Sequence, residues 1–99
     1  MIVQYRNNKI KKICTNNSVA RKQYGQRMAD LVQQRIQEIE ASETVEEMIQ
    51  YHIGRCHPLK GNRQGQYAVD LEQPHRLTFT VKHEIVQIAH IEEIVKDYH

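Results

Sequence analysis

The chemistry that this sequence can support is concentrated in a few side chains able to act on a phosphodiester. His57, Lys60 and Arg63 lie close together in the chain, and Arg76 follows downstream. An imidazole exchanges protons near neutral pH, and ammonium and guanidinium groups bind phosphate oxygens. Residues 55–79 read RCHPLKGNRQGQYAVDLEQPHRLTF, so these groups sit among turn-forming residues that run directly into alternating strand pattern. A second polar cluster, Asp97, Tyr98 and His99, comes last in the sequence. Cleaving RNA through its own 2′-hydroxyl requires a base for the 2′ proton, a cation for the phosphorane and an acid for the leaving 5′ oxygen. His57, Lys60, Arg76 and His99 can fill these roles, with Tyr98 as a further donor. Taken singly, a loop His beside a Lys is more often a solvated pair, and an Arg on a sheet is more often a salt-bridge partner. The expectation is that the fold joins the two clusters into one ribonuclease site.

The elements that must do this can be read in order. Ile2, Val3 and Tyr5 predict a short strand closed by Asn7-Asn8. Ile10 and Ile13 fit one helical turn, so KIKKICT reads as a short helix. Asn16, Asn17 and Ser18 offer an N-cap for the next. Over residues 28–39, Met28, Leu31, Val32, Ile36 and Ile39 share one helical stripe. Gly25 is either a break before that helix or a tolerated glycine within it. Thr44 with Glu47 forms a capping box for a further short helix. Residues 54–65 read as a loop carrying His57, Lys60 and Arg63. Tyr67, Val69 and Leu71 then alternate with polar or small neighbours. Glu72-Gln73-Pro74 turns the chain, and Leu77, Phe79 and Val81 alternate with Arg76, Thr78 and Thr80. Lys82-His83 reads as another turn, before a last strand over residues 85–91 whose apolar residues occupy both faces, as in a covered central strand. This order predicts an α+β domain, a small antiparallel-rich sheet with N-terminal helices packed on one face. If Leu77 and Phe79 face the helices, Arg76 must point to the open side.

Composition bounds the partners. Ninety-nine residues make one domain (1–99), 39% hydrophobic and 26% charged, which suits a globular protein. No apolar run approaches the roughly 20 residues of a membrane span, and no signal peptide pattern is present, so the expected location is the cytoplasm without membrane attachment. A formal net charge of +2 is too small for a protein gripping long naked nucleic acid. It is unevenly spread: Lys9, Lys11, Lys12, Arg21, Lys22 and Arg27 make the first third basic, and residues 38–47 are acidic. Cys14 and Cys56 read as free thiols. The histidines show no ligand spacing, and neither a metal nor another cofactor is expected.

The ordered pattern HPLKGNRQGQYAVDL…PHRLTF followed by DYH resembles the HigB branch of the RelE/ParE toxin superfamily, the plasmid-maintenance killer proteins of bacterial type II toxin–antitoxin modules. The resemblance is strong from Arg55 onward and weaker through YGQRMADLVQQRIQEI. It implies a RelE-like fold and a metal-independent mRNA endoribonuclease that works in the ribosomal A site and inhibits translation. It also implies a HigA-like helix-turn-helix antitoxin, through which the complex binds operator DNA. On these motifs His57 and Lys60 match the loop His and Lys, Arg76 the Arg of R-L, and Asp97, Tyr98 and His99 the terminal D-Y-H. Arg76 is expected to stabilise the phosphorane, His57 and His99 to move protons, and Lys60 to add positive charge. Tyr98 is expected to stack on a base or position the phosphate, and Asp97 to orient a histidine. Arg63 and Gln66 are expected RNA contacts, and Lys9, Lys11, Lys12, Arg21, Lys22 and Arg27 meet ribosomal RNA or plain solvent. Lys96 departs from the pattern, in which Ile-Val runs directly into Asp-Tyr-His. One extra strand residue reverses side-chain parity unless a bulge or the preceding turn absorbs it. Two rival readings follow from the same resemblance: a ParE-like inhibitor of DNA gyrase without nuclease chemistry, and a decayed toxin serving only as partner or corepressor of its antitoxin.

Overall fold

Asparagines start the first two helices. In the computed structural model, which describes residues 1–96, Asn7 accepts a hydrogen bond from the Ile10 amide at 2.9 Å and opens α1 (Asn8–Thr15). Asn16 accepts from the Ser18 and Val19 amides and opens α2 (Asn17–Tyr24). Gly25, at φ +92°, separates α2 from α3 (Gln26–Ala41), settling that glycine as a break. The Thr44 hydroxyl accepts from the Glu47 amide at 3.0 Å and opens α4 (Val45–Gln50), as the capping pattern predicts.

The strands are β1 (Ile2–Tyr5), β2 (His57–Pro58), β3 (Tyr67–Asp70), β4 (His75–His83) and β5 (Gln87–Lys96). They form one sheet in the order β1-β5-β4-β3-β2; β1 runs parallel to β5 and the other pairings are antiparallel. The helices cover one face. Ile10 and Cys14 of α1, Met28, Val32, Ile36 and Ile39 of α3, and Val45 and Met48 of α4 bury Val69, Leu77, Phe79, Ala89 and Ile91. The fold is therefore the α+β architecture expected from the sequence. Phe79 is fully buried and Tyr67 stacks on it with ring centroids 5.8 Å apart, so Tyr67 is core. Burying a Phe side chain contributes about 1.5–3 kcal/mol.

Three boundaries differ from the sequence reading. His57 lies on β2, paired with Ala68 of β3, where a loop is expected. Lys82 and His83 belong to β4, and the connection to β5 is made by Glu84, Ile85 and Val86. The last strand runs Gln87–Lys96, displaced from the expected 85–91 because Ile85 is fully exposed and Val86 half-exposed at the hairpin tip. β5 is interior in the sheet, as expected of a central strand; the mixed faces over 85–91 arise because Ile85 and Val86 lie on the connection, and a separate irregularity follows them. Thr78 pairs with Glu93 and Phe79 with Ile91, which leaves Glu92 as an extra residue, a β-bulge. Ile91 and Ile94, three apart, consequently both pair with core residues of β4, Phe79 and Leu77.

Candidate active site

Sheet register assembles the site. His57, Ala68, Thr78 and Glu93 form one row across the sheet, and Asp70, Arg76 and Val95 form the next. Paired residues project to the same side. Leu77 and Phe79 point to the helices, so these rows lie on the opposite face, as parity predicts for Arg76. Thr78 is fully buried there, its hydroxyl donating to the Glu93 carbonyl at 3.3 Å.

His57 is held at both ring nitrogens. Its Nδ1 lies 2.8 Å from the Arg55 carbonyl, which can only accept, so Nδ1 carries the proton. That leaves Nε2 as the basic nitrogen, and Arg76 Nη1 approaches it at 3.4 Å as a long hydrogen bond. Lys60, Arg63 and Arg76 line one cavity of about 290 Å³, together with Thr78, Val95 and Lys96. Three cations from the stretch singled out by the sequence thus surround one space large enough for a phosphodiester. A larger cleft near Ile2 and the β4–β5 connection has Glu40, Glu43 and Glu84 on its rim, which repels phosphate.

Arg63 donates from Nη1 to Glu93 at 2.9 Å and to Gln66 at 3.2 Å. The Arg63 and Glu93 side chains are each 41% exposed. Such a pair contributes less than about 1 kcal/mol, so a phosphate can displace the carboxylate readily. Gln66 also ties the segment back, its carbonyl accepting from the Leu59 amide at 2.9 Å.

The remaining expected contacts scatter. Lys9, Lys11 and Lys12 lie on α1 and Arg21 and Lys22 on α2, all exposed. Arg27 of α3 pairs with Glu72 at 3.4 Å. Lys9 lines a cleft with Arg6, Glu92 and Glu93, beside the strand that carries Val95 and Lys96. The other five stand on the helical layer that covers the far face of the sheet. Asp97, Tyr98 and His99 lie outside the described residues. The bulge at Glu92 resets side-chain parity for Glu93 through Lys96, the stretch leading into them.

Arg55, Asp70 and Glu93 surround His57 and Arg76 without having been singled out. Asp70 is buried, and its Oδ2 pairs with Arg55 Nε at 3.2 Å. Its Oδ1 is also buried, with no hydrogen-bond partner among the described residues. A buried unsatisfied acceptor costs about 1–3 kcal/mol, more than an ion pair to an exposed Arg55 returns. Arg35 of α3 donates from Nε to the Asp70 carbonyl at 2.6 Å and from Nη1 to Glu38 at 2.9 Å. The available signal was compositional: Asp is depleted in strands, yet Asp70 sits in strand pattern between the apolar Val69 and Leu71.

Cys56 precedes His57 but turns into the core, and burial pushes its thiol up to about 12. Cys14 is raised likewise, to about 12. Both are free thiols, as expected, and neither is a nucleophile at neutral pH. Among the described residues, no His, Cys, Asp or Glu group of three or more is placed to hold a metal ion, and no helix is long and apolar enough to cross a membrane.

No family model matches the chain, and no curated protein sequence matches it. Among solved structures, the chain is similar to a YoeB/ParE toxin from Agrobacterium tumefaciens, with a TM-score of 0.60 and 15% identity, over 99% of this chain and 100% of that one. At that identity the likeness is one of fold.

Proposed function

We propose that the protein, as one domain over residues 1–99, is the toxin of a type II toxin–antitoxin module. It is a HigB-like, ribosome-dependent and metal-independent endoribonuclease that cuts mRNA in the cytoplasm. The observation that carries the reading is the 3.4 Å approach of Arg76 Nη1 to His57 Nε2 beside a cavity shared with Lys60 and Arg63. The similar fold of a YoeB/ParE toxin supports the toxin class.

In this reading His57 Nε2 takes the 2′-hydroxyl proton as the 2′ oxygen attacks phosphorus. Arg76 and Lys60 stabilise the phosphorane, the fork of guanidinium donors matching two of its oxygens. His99 protonates the departing 5′ oxygen, Tyr98 stacks on a base or holds the phosphate, and Asp97 orients a histidine. Arg63 and Gln66 track the strand. The ribosome supplies the in-line substrate geometry that free RNA lacks. A HigA-like helix-turn-helix antitoxin neutralises the toxin and carries the complex to operator DNA.

Primer extension on a defined message in translating ribosomes tests this, with wild type, His57→Gln, Arg76→Ala and His99→Ala compared and ribosome-free message as control. Cuts that require ribosomes are expected, reduced roughly 10²–10³-fold in Arg76→Ala by loss of charge stabilisation. Absence of cutting by fresh wild type overturns the reading. The ParE half of the neighbour's name favours gyrase inhibition as the second reading, which predicts DNA damage and indifference to His57→Gln.

A further inference from the structure

The buried carboxylate beside the site is not explained by stability, and its contacts lead toward His57. Asp70 Oδ2 pairs with Arg55 Nε, and the Arg55 carbonyl accepts the proton of His57 Nδ1. Arg55 ends a single 3₁₀ turn (Ile53–Arg55) with φ +55°, the left-handed region that a residue with a Cβ adopts only under constraint. That twist carries the Arg55 carbonyl to the imidazole. The side chain that holds the twisted residue is anchored by Asp70, whose own main chain is fixed by Arg35.

We propose that Asp70 is a positioning residue for His57, acting through Arg55 to fix which imidazole nitrogen carries the proton and where the other one faces. Without the anchor, Arg55 relaxes toward an ordinary φ, its carbonyl turns away, and the imidazole divides between its two tautomers and reorients. The protein retains an acceptor with an unsatisfied oxygen at this position because a carboxylate, unlike its neutral isostere, holds the Arg55 guanidinium. The effect on catalysis rests on the ribonuclease reading; the effect on the imidazole does not.

The test is nitrogen-15 NMR of the uniformly labelled protein, with the His57 ring assigned by comparison with His57→Gln. Wild type should show Nδ1 protonated and Nε2 unprotonated when the imidazole is neutral. Asp70→Asn should shift both His57 nitrogens toward averaged tautomers while the other histidines and the thermal transition stay in place. Arg55→Met should give the same change, and Asp70→Asn should add nothing in the Arg55→Met background, since both act through one contact. Cleavage on ribosomes should fall roughly 10–100-fold in either variant, as expected for a misaimed base. Unchanged His57 nitrogens in a folded Asp70→Asn protein overturn the proposal, as does a wild-type ring protonated at Nε2. If wild type does not cut message yet the nitrogen signals shift as stated, the ribonuclease reading fails and the positioning role stands.

Discussion

At the scale of single residues, the site depends on donors of fixed shape. Arg76 approaches an imidazole nitrogen and lines a phosphate-sized cavity, and lysine reproduces its charge without its planar fork. Arg76→Lys is therefore expected to lose about tenfold or more in ribosome-dependent cutting with little change in melting temperature, measured by primer extension beside a thermal melt. Arg63, which already shares its guanidinium with Glu93, should matter less. Arg63→Gln is expected to weaken binding of a short RNA oligonucleotide by roughly 2–10-fold, an effect that shrinks as salt rises. His57, Lys60 and Arg76 were legible in the sequence because they fall together in a turn-rich stretch that runs into strand pattern, and type alone would not have picked them from six histidines and fourteen lysines and arginines. Asp70 and Arg55 were not, because their pairing depends on a left-handed turn and on the β2–β3 register, neither of which a local pattern encodes.

At the scale of elements, two devices aim these side chains. The β-bulge at Glu92 lets Ile94 return to the core opposite Leu77 while Val95 lies opposite Arg76. Deleting Glu92 removes the extra residue and leaves a regular ladder in which Glu93 still faces Thr78 and Ile94 still faces Leu77. The expected loss is about 1 kcal/mol, from the Glu92 contacts to Thr80 and His90, with cutting retained; urea unfolding and primer extension would read the two. The other device is Gly54, at φ +58°, where an added Cβ would lie 2.9 Å from Cδ and Nε of Arg35. Gly54→Ala should destabilise by about 1–2 kcal/mol and lower the melting temperature, with His57 disturbed because Arg35 holds Asp70. The helices were readable from caps and apolar stripes. The last strand was misplaced because Ile85 and Val86 look like core residues but crown an exposed hairpin, and apolar type carries no information about a turn that lifts it into solvent.

At the scale of the whole molecule, burial ties stability to alkaline pH. Cys14 and Cys56 are held up at about 12 by burial, against 9.0 ordinarily. Their contribution is complete below the unfolded value and fades as pH rises toward the folded one, since only the unfolded chain gains by ionising in that window. Each thiol adds a slope of at most about 1.4 kcal/mol per pH unit between roughly pH 9 and 12. Urea midpoints should fall across that range, and less steeply in Cys14→Val. The sheet order has a consequence of a different kind. β5, interior between β1 and β4, is the last strand among the described residues, and β1 has no other neighbour in the sheet. During synthesis β1, the helices and β4 are all made before the strand that joins β1 to β4. Completion of the sheet must wait for residues near 96. The cavity wall formed by Val95 and Lys96 is therefore made after Lys60, Arg63 and Arg76, and the pocket takes shape only with the sheet's interior strand in place.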